Sequence, residues 1–543
     1  MCSSDLLEGS PASVEGAIRM AAYRFHGTDG LRGRTMVPAS PISLREAIEA
    51  FVLRKQLTPE LLQALVRNTI YAYESLMGET MGVVIGRDPR DLYRGDPQKE
   101  LLFYKALQEG VHSTGQKTYD LDVVPVPCIP YLMAYWNDPH GPIQSRLVLY
   151  KTASHNPASQ DGLKIFFRRS RQDGEEECVK PPVELEWAIS ALLMKEALEG
   201  PLKKKSSRTG EREKIEETAP LVLRQVMDDA ENLSPLESVD FMVADLANGS
   251  FAWPPYREVA QDILKKKGVA RLLWVGNSPN GRNINSNEGN DRVGAAHFEN
   301  VFRISAEEIE NGKFHGFPAL HALLEYGKEH AGEIADGKMA WAIFTDGDGD
   351  RSYAAFYNPF SREIEVIDGD KAFFFHVVKA MANGKLRPGD RVAVTVESSV
   401  PFVNALFAYL QKFHPVQMMF SPRDPLPEHR IGLVIAPVGD KYILDQQCYG
   451  AESSGHCIKP YKVVGWDGKR VHERVFAGNG LISSWDTVCA MNGALQGEYR
   501  EKLDLPEERK ARTEKLARPY EPPRNEIVRS EERRVGKECR SRW

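Results

Sequence analysis

The sequence predicts an α/β protein built from several domains, and two observations carry that reading. Short apolar runs with strand character alternate with segments of helical periodicity along most of the chain. The length, 543 residues, exceeds what one hydrophobic core supports and corresponds to about three or four domains at ~150 residues each.

The elements follow in order. "LTPELLQALVRNTIYAYESLM" is a predicted helix, because Thr58-Pro59-Glu60 forms a helix start and apolar residues then recur at helical spacing. "MGVVIGRD" reads as a short buried strand ending in Gly-Arg-Asp. Further strands are predicted at "KTYDLDVVPVP", "RLVLYKT", "DFMVADL", "ARLLWVG", "KMAWAIFTD", "DRVAVTV" and "GLVIAPV", with helices at "PPYREVAQDILKKKG" and "KAFFFHVVKAMANG". Two stretches read as domain boundaries. One is the charged "MKEALEGPLKKKSSRTGEREKIEE", a solvated helix pair or a linker; the other is "YNPFSREIEVIDGD".

Composition narrows the class. A net charge of −6 gives no reason to expect nucleic acid or an anionic membrane as partner. The N-terminus lacks the basic start and apolar core of a secretory signal, and no apolar stretch approaches the ~18 residues of a membrane span. Seven cysteines lie at 2, 128, 178, 448, 457, 489 and 539, without CxxC or zinc-type spacing. Such a dispersed, odd set predicts reduced thiols and a cytoplasmic location.

Four strings carry chemistry. In "LVLYKTASHNPASQDGLKIFF" an apolar run breaks at Ser154, His155 and Asn156, with Lys164 returning near the same mouth. A serine at a strand-to-loop break can present its hydroxyl to a ligand, although the same residues also serve as turn or cap residues. "MAWAIFTDGDGDRSYAAFY" runs a strand into Asp346, Asp348 and Asp350, followed by Arg351. At an effective dielectric of ~20, each carboxylate pair ~4 Å apart repels by about 4 kcal/mol. A hard divalent cation such as Mg²⁺ would remove that repulsion; an acidic surface turn is the alternative. A calcium EF-hand is excluded, because Arg351 and Tyr357 occupy its glycine and glutamate places. "CYGAESSGHCI" gathers Glu452, Ser453, Ser454, Gly455 and His456 among small residues, suited to a polyhydroxylated ligand but also common in Gly/Ser-rich loops. "YRFHGTDGLRGRT" offers Arg24, Arg32 and Arg34 as forks for phosphate, or is a Gly-rich surface loop. Together they point to phosphoryl transfer on a sugar phosphate.

In this order the four strings resemble the α-D-phosphohexomutase superfamily, which includes bacterial phosphoglucomutases, phosphomannomutases and phosphoglucosamine mutases. The resemblance runs from about Tyr23 to about Trp485. "TASHNP" with "DGLK" looks like the phosphoserine loop, "DGDGDR" like the metal loop, and "GAESSGH" like the sugar-specificity loop, where a second glycine is usual at Ala451. "FHGTDGLRG" is similar to the N-terminal signature, with His26 a departure; "VVIGRDPR", "VADLANGS", "GRNINSNEG" and "APVGDKYI" are weaker echoes. A haloacid-dehalogenase phosphatase also runs a strand into Asp-x-Asp, but the separate TASHNP loop does not fit it.

The resemblance implies three similar mixed α/β domains around a central cleft, plus a truncated fourth. The map is 1–200 for domain I with the phosphoserine loop, 201–355 for domain II with the metal loop, 356–495 for domain III with the sugar loop, and 496–528 for a fragment of domain IV. It implies an interconversion of hexose 1-phosphate and hexose 6-phosphate (glucose and/or mannose) through a phosphoserine at Ser154, with a hexose 1,6-bisphosphate as intermediate and activator. Phosphoglucosamine mutase, or an impaired homologue that only binds sugar phosphates, is the alternative. Mg²⁺ would be held by Asp346, Asp348, Asp350 and an oxygen on Ser154. Lys164 and His456 would transfer protons or orient hydroxyls, Arg32 and Arg351 would stabilise charge, and Glu452, Ser454, Gly455 and His155 would bind substrate. The expected partners are small sugar phosphates, and the expected state is monomer or homodimer.

The family's fourth domain carries an Arg-x-Ser-Gly-Thr phosphate loop, and no such string occurs in this sequence. Its last residues, "RSEERRVGKECRSRW" (529–543), are codon for codon an in-frame translation of a common sequencing adapter. They are therefore expected to be non-native and to pack on nothing, and the chain is expected to bind the substrate's distal phosphate weakly.

Overall fold

Helix 59–77 shows how closely local chemistry sets the elements. The Thr58 hydroxyl accepts the Leu61 N–H, Pro59 occupies the first turn where its missing N–H costs nothing, and Leu61, Leu62, Leu65 and Val66 are buried on one face. The structure, a computed structural model, describes residues 25, 30–91, 101–137, 140–170, 176–201, 210–229, 231–236, 239–286, 293–295, 298, 301–312, 314, 317–421 and 424–520.

Three sheets organise it. The first contains β1 (Leu31–Thr35), β2 (Gln56–Leu57), β3 (Val83–Arg87), β4 (Thr118–Val123), β5 (Leu147–Lys151), β6 (Gln160–Ser170), β7 (Glu176–Val179) and β8 (Arg212–Lys214). Their order is β2-β1-β6-β5-β3-β4-β8, with β7 on β6. The second contains β9 (Val239–Asp245), β10 (Arg271–Val275), β11 (Arg303–Ile304), β12 (Met339–Thr345), β13 (Ser352–Asn358) and β14 (Glu363–Ile367), in the order β10-β9-β12-β13-β14-β11. The third contains β15 (Arg391–Thr395), β16 (Val416–Met419), β17 (Ile431–Ala436), β18 (Tyr449–Ala451), β19 (Cys457–Val464) and β20 (Val471–Gly478), in the order β16-β17-β15-β18-β19-β20.

All three sheets share one plan, a parallel block handed over to antiparallel strands. The change falls between β5 and β6, between β12 and β13, and between β18 and β19. Parallel strands are buried on both faces and so read as continuous apolar runs, which is why they were legible in the sequence. Helix 480–496 lies between the second and third sheets and is buried nearly all round. Its Ser484 hydroxyl donates to the Phe344 carbonyl (3.1 Å), and its first amide, Gly480 N–H, donates to the Gly349 carbonyl (2.8 Å).

The sheets divide the chain elsewhere than at residues 200 and 355. β8 pairs with β4, so the first unit runs past residue 200 and the charged stretch ends in a strand rather than a linker. "YNPFSREIEVIDGD" is no boundary either: it is the turn and return strand of the β13–β14 hairpin. Its alternation Glu363-Ile364-Glu365-Val366 is the strand signal hidden under the charge. Beyond Gln496, helix 509–517 packs back on helix 480–496, with Leu505, Leu516 and Ala517 buried and the Arg512 guanidinium donating to the Leu495 carbonyl (2.8 Å). Residues 521–543, on which the adapter reading falls, lie outside the described residues. Cys128, Cys178, Cys448, Cys457 and Cys489 are free thiols. Among the described residues no helix is long and apolar enough to cross a membrane.

Candidate active site

The three chemistry-bearing loops leave equivalent places in the three sheets. Residues 152–159 join β5 to β6, residues 346–351 join β12 to β13, and residues 452–456 join β18 to β19. Each follows the carboxyl end of the last parallel strand, where an open α/β sheet presents ligands. The repeated plan thus delivers a serine, an acidic cluster and a Glu/His pair to one point.

Ser154 is held in the left-handed region, at φ 53°. A non-glycine residue keeps that conformation only when its surroundings fix it. Here the Thr152 hydroxyl accepts the Ser154 amide N–H (2.7 Å), and the side chains of Arg90 and Asn285 both donate to the Ser154 carbonyl (2.9 Å each). The backbone being set, the Ser154 hydroxyl donates to Asp346 Oδ2 at 3.0 Å.

Asp346, Asp348 and Asp350 converge, each offering an oxygen within 4.8 Å of the others. Asp346 Oδ1 accepts the amides of Gly349 and Arg351 (3.1 Å each), which curls the loop around it. Burial, then the neighbouring charges of Asp348 and Asp350, push Asp346 up to about 8. Asp348 Oδ1 is buried with no hydrogen-bond partner. Lys164 supplies positive charge from β6: its ammonium lies 2.7 Å from Asp350 Oδ2 and 3.0 Å from Asp348 Oδ2. The register Tyr150↔Lys164 explains how a residue ten positions after the serine returns to the same mouth. Arg32 stands on β1 opposite Gly162, on the same face as Lys164, and the Arg351 Nε is 3.9 Å from Asp346 Oδ2.

The third loop is wired into the second. The backbones of His456 and Arg351 pair as an isolated antiparallel β-bridge, and the Gly455 carbonyl accepts both the amide and the hydroxyl of Ser352 (3.0 and 3.2 Å). His456 sits between two carboxylates, Nε2 at 2.9 Å from Asp350 and Nδ1 at 2.5 Å from Glu452. Burial opposes its charge, but Asp350 and the hydrogen bonds to Asp350 and Glu452 outweigh it and carry the imidazole up to about 10. Glu452 is buried: its Oε1 accepts the Gly439 amide (2.9 Å), and Ser454 Oγ lies 3.5 Å from its Oε2. Its carboxylate therefore reaches the acidic loop through His456. His155, next to the serine, is half-buried.

Four contributors were missed in the sequence. Asp88, Arg90 and Asn285 lie in strings that read only as echoes, and Thr152 opens the serine loop itself without having been singled out. Asp88 and Arg90 are buried as an ion pair at 2.7 Å, and Thr152 Oγ1 lies 2.6 Å from Asp88 Oδ2 and 3.2 Å from Asp348 Oδ2. The signal available was "GRDPR" directly after a buried strand, since a charged pair there must be satisfied internally. His26–Asp29 and Arg24 of the N-terminal string lie outside the described residues.

The family described as phosphoglucomutase/phosphomannomutase, alpha/beta/alpha domain I, matches residues 25–178. The phosphoglucosamine mutase of Alkaliphilus oremlandii is 26% identical over 445 residues, covering 80% of this chain and 74% of that protein. The phosphoglucosamine mutase of Bdellovibrio bacteriovorus is 27% identical over 447 residues, with 80% and 74% covered. Among solved structures, a phosphoglucomutase/phosphomannomutase family protein from Burkholderia thailandensis shares the fold, with a TM-score of 0.50 at 15% identity over 87% of this chain and 77% of that one.

Proposed function

We propose, from the premise that this chain belongs to the α-D-phosphohexomutase superfamily, that it interconverts hexose 1-phosphate and hexose 6-phosphate through a phosphoryl group carried on Ser154. One observation carries the reading: the Ser154 hydroxyl donates to Asp346 at 3.0 Å, where carboxylates of another sheet unit converge beside Lys164.

The acidic loop fits a hard divalent cation. It offers three convergent carboxylates, and the partnerless Asp348 Oδ1 is a buried acceptor that needs a positive ligand. Asp346, Asp348 and Asp350 would hold Mg²⁺ together with an oxygen on Ser154. Bound Mg²⁺ neutralises negative charge on the phosphoryl group in transfer.

The chain's own residues do the rest. In the first half-reaction the bond from Ser154 Oγ to phosphorus breaks as a sugar oxygen bonds to phosphorus, and the sugar hydroxyl gives up its proton. The departing Ser154 Oγ takes up a proton in exchange: Lys164, an ammonium beside Asp348 and Asp350, can donate it and then receive the proton of the sugar hydroxyl. His456, carried up to about 10, is an imidazolium at neutral pH. It therefore does not act as a base, and because its two N–H groups are held by Asp350 and Glu452 it orients or protonates a sugar oxygen only by exchanging one of those bonds. Arg32 and Arg351 face the phosphoryl path, and Glu452, Ser454, Gly455 and His155 meet the sugar phosphate. For Glu452 this requires exchanging its Ser454 contact for a sugar hydroxyl. The bisphosphosugar then turns over and returns its other phosphoryl group to Ser154.

Glucose and mannose phosphates are the substrates we favour. The names of the two relatives above support the amino sugar as a second reading. A coupled assay with the 1-phosphates of glucose, mannose and glucosamine ranks them by kcat/KM. Loading the protein with labelled glucose 1,6-bisphosphate and mapping the label tests the mechanism: label on Ser154 is expected, and turnover of none of the three sugars would sink the proposal.

A further inference from the structure

Asn285 occupies a position that the phosphoryl chemistry above leaves unexplained. It belongs to the second sheet unit, yet its side-chain amide donates to two carbonyls of the first unit's serine loop, those of Ser154 and Asn156, at 2.9 Å each. Its own backbone is left-handed, at φ 60°, and its amide N–H is fixed on the Ala247 carbonyl (2.7 Å). On its other side it abuts the acidic loop. A Cβ added to Gly347 would meet Asn285 Nδ2 at 2.8 Å and Ile284 Cδ1 at 2.7 Å. Gly347 lies between Asp346 and Asp348, so one side chain is wedged between the acidic loop and the nucleophile's backbone.

We infer that Asn285 is a positioning residue that sets the spacing between the Ser154 hydroxyl and the acidic loop; this rests on the phosphoserine reading proposed above. Arg90 grips the same carbonyl from within the first unit, and Asp88 holds Arg90. Arg90 therefore fixes the shape of the serine loop, whereas Asn285 fixes where that loop sits relative to the second unit. Losing the amide leaves Ser154 chemically intact and frees the distance on which in-line transfer depends. A displacement of ~1 Å at a reacting centre can cost about 10²-fold in rate.

The test uses the full chain loaded with glucose 1,6-bisphosphate, with turnover expressed per phosphorylated serine. In Asn285→Ala we expect kcat to fall about ten- to a hundred-fold with KM within about twofold. We also expect phosphoserine to be lost to water faster when no sugar phosphate is present. Gly347→Ala keeps the amide but pushes it away, and should reproduce the kcat loss if Asn285→Ala does not fold. A purely structural role would lower the phosphorylated fraction and leave turnover per phosphoserine unchanged; that result, in whichever variant folds, overturns the inference. If the unaltered chain takes no label on Ser154, the phosphoserine reading itself has failed, which is a distinct outcome.

Discussion

Replacing Ser154 by alanine removes one oxygen atom from a backbone held by Thr152, Arg90 and Asn285. None of those contacts uses the hydroxyl, so Ser154→Ala should fold, with a melting temperature close to the parent's. Its turnover should fall by about 10⁴-fold or more, as expected for loss of a nucleophile. Full activity in the variant would end the phosphoserine mechanism. The acidic loop yields a second prediction. Asp346, raised to about 8, binds a proton when folded that the unfolded chain has already released. Without metal, this group therefore costs stability as pH rises from the ordinary carboxylate range through about 8. Mg²⁺ binds the deprotonated form, so the melting-temperature gain on adding Mg²⁺ should grow as pH climbs through about 8, with proton release on binding. Calorimetry in buffers of different ionisation enthalpy measures that release. A gain that is flat with pH would argue against Asp346 as a ligand. Asp348→Asn, which removes one anionic oxygen, should weaken Mg²⁺ and turnover together.

At the scale of elements, what could be read in the sequence was whatever is encoded locally. Parallel strands buried on both faces appear as unbroken apolar runs, and a Thr-Pro-Glu start announces helix 59–77. Ser154 and the Asp346-Asp348-Asp350 loop were legible because both interrupt such runs with groups that a core would not tolerate. Asn285 and Arg90 were not, because their roles come from tertiary contacts: Asn285 meets a carbonyl 131 positions away. The β13–β14 hairpin was misread because charge at its turn masked a period of two. Element geometry also supplies a test. Helix 480–496 begins against the acidic loop so closely that a Cβ on Gly480 would lie 2.1 Å from the Arg351 carbonyl oxygen and 2.9 Å from that of Gly349. Gly480→Ala must push the two apart. It should cost about 1–3 kcal/mol by denaturant unfolding and lower Mg²⁺ affinity, even though residue 480 carries no ligand. Unchanged Mg²⁺ binding would show that the helix start does not support the loop.

The molecule as a whole depends on how its first and third units are held together. Lys180, just after β7, meets Asp440 at 2.5 Å, and Glu186 on helix 183–199 meets Lys441 at 2.6 Å. All four groups are buried, and the pairs run in opposite sense, with the cation from the first unit in one and from the third in the other. Such a reversed double pair tolerates one register only, because a slip would set like charges together. The adjacent Gly439 amide donates to Glu452 Oε1, so the same contact sets where the sugar loop stands relative to Ser154. Removing one partner strands a buried charge: Lys180→Met should lower the free energy of the first unfolding transition by about 3–5 kcal/mol. It should also raise KM for the sugar phosphate more than it lowers kcat, since the serine and acidic loops are untouched. Adding Asp440→Leu removes the stranded carboxylate and should restore most of the stability, because a buried ion pair and an apolar pair of similar size are often equivalent. It should not restore KM, because the apolar pair no longer fixes the register that places Glu452. Recovery of both stability and KM in the double variant would show that the ion pairs only fill space between the units.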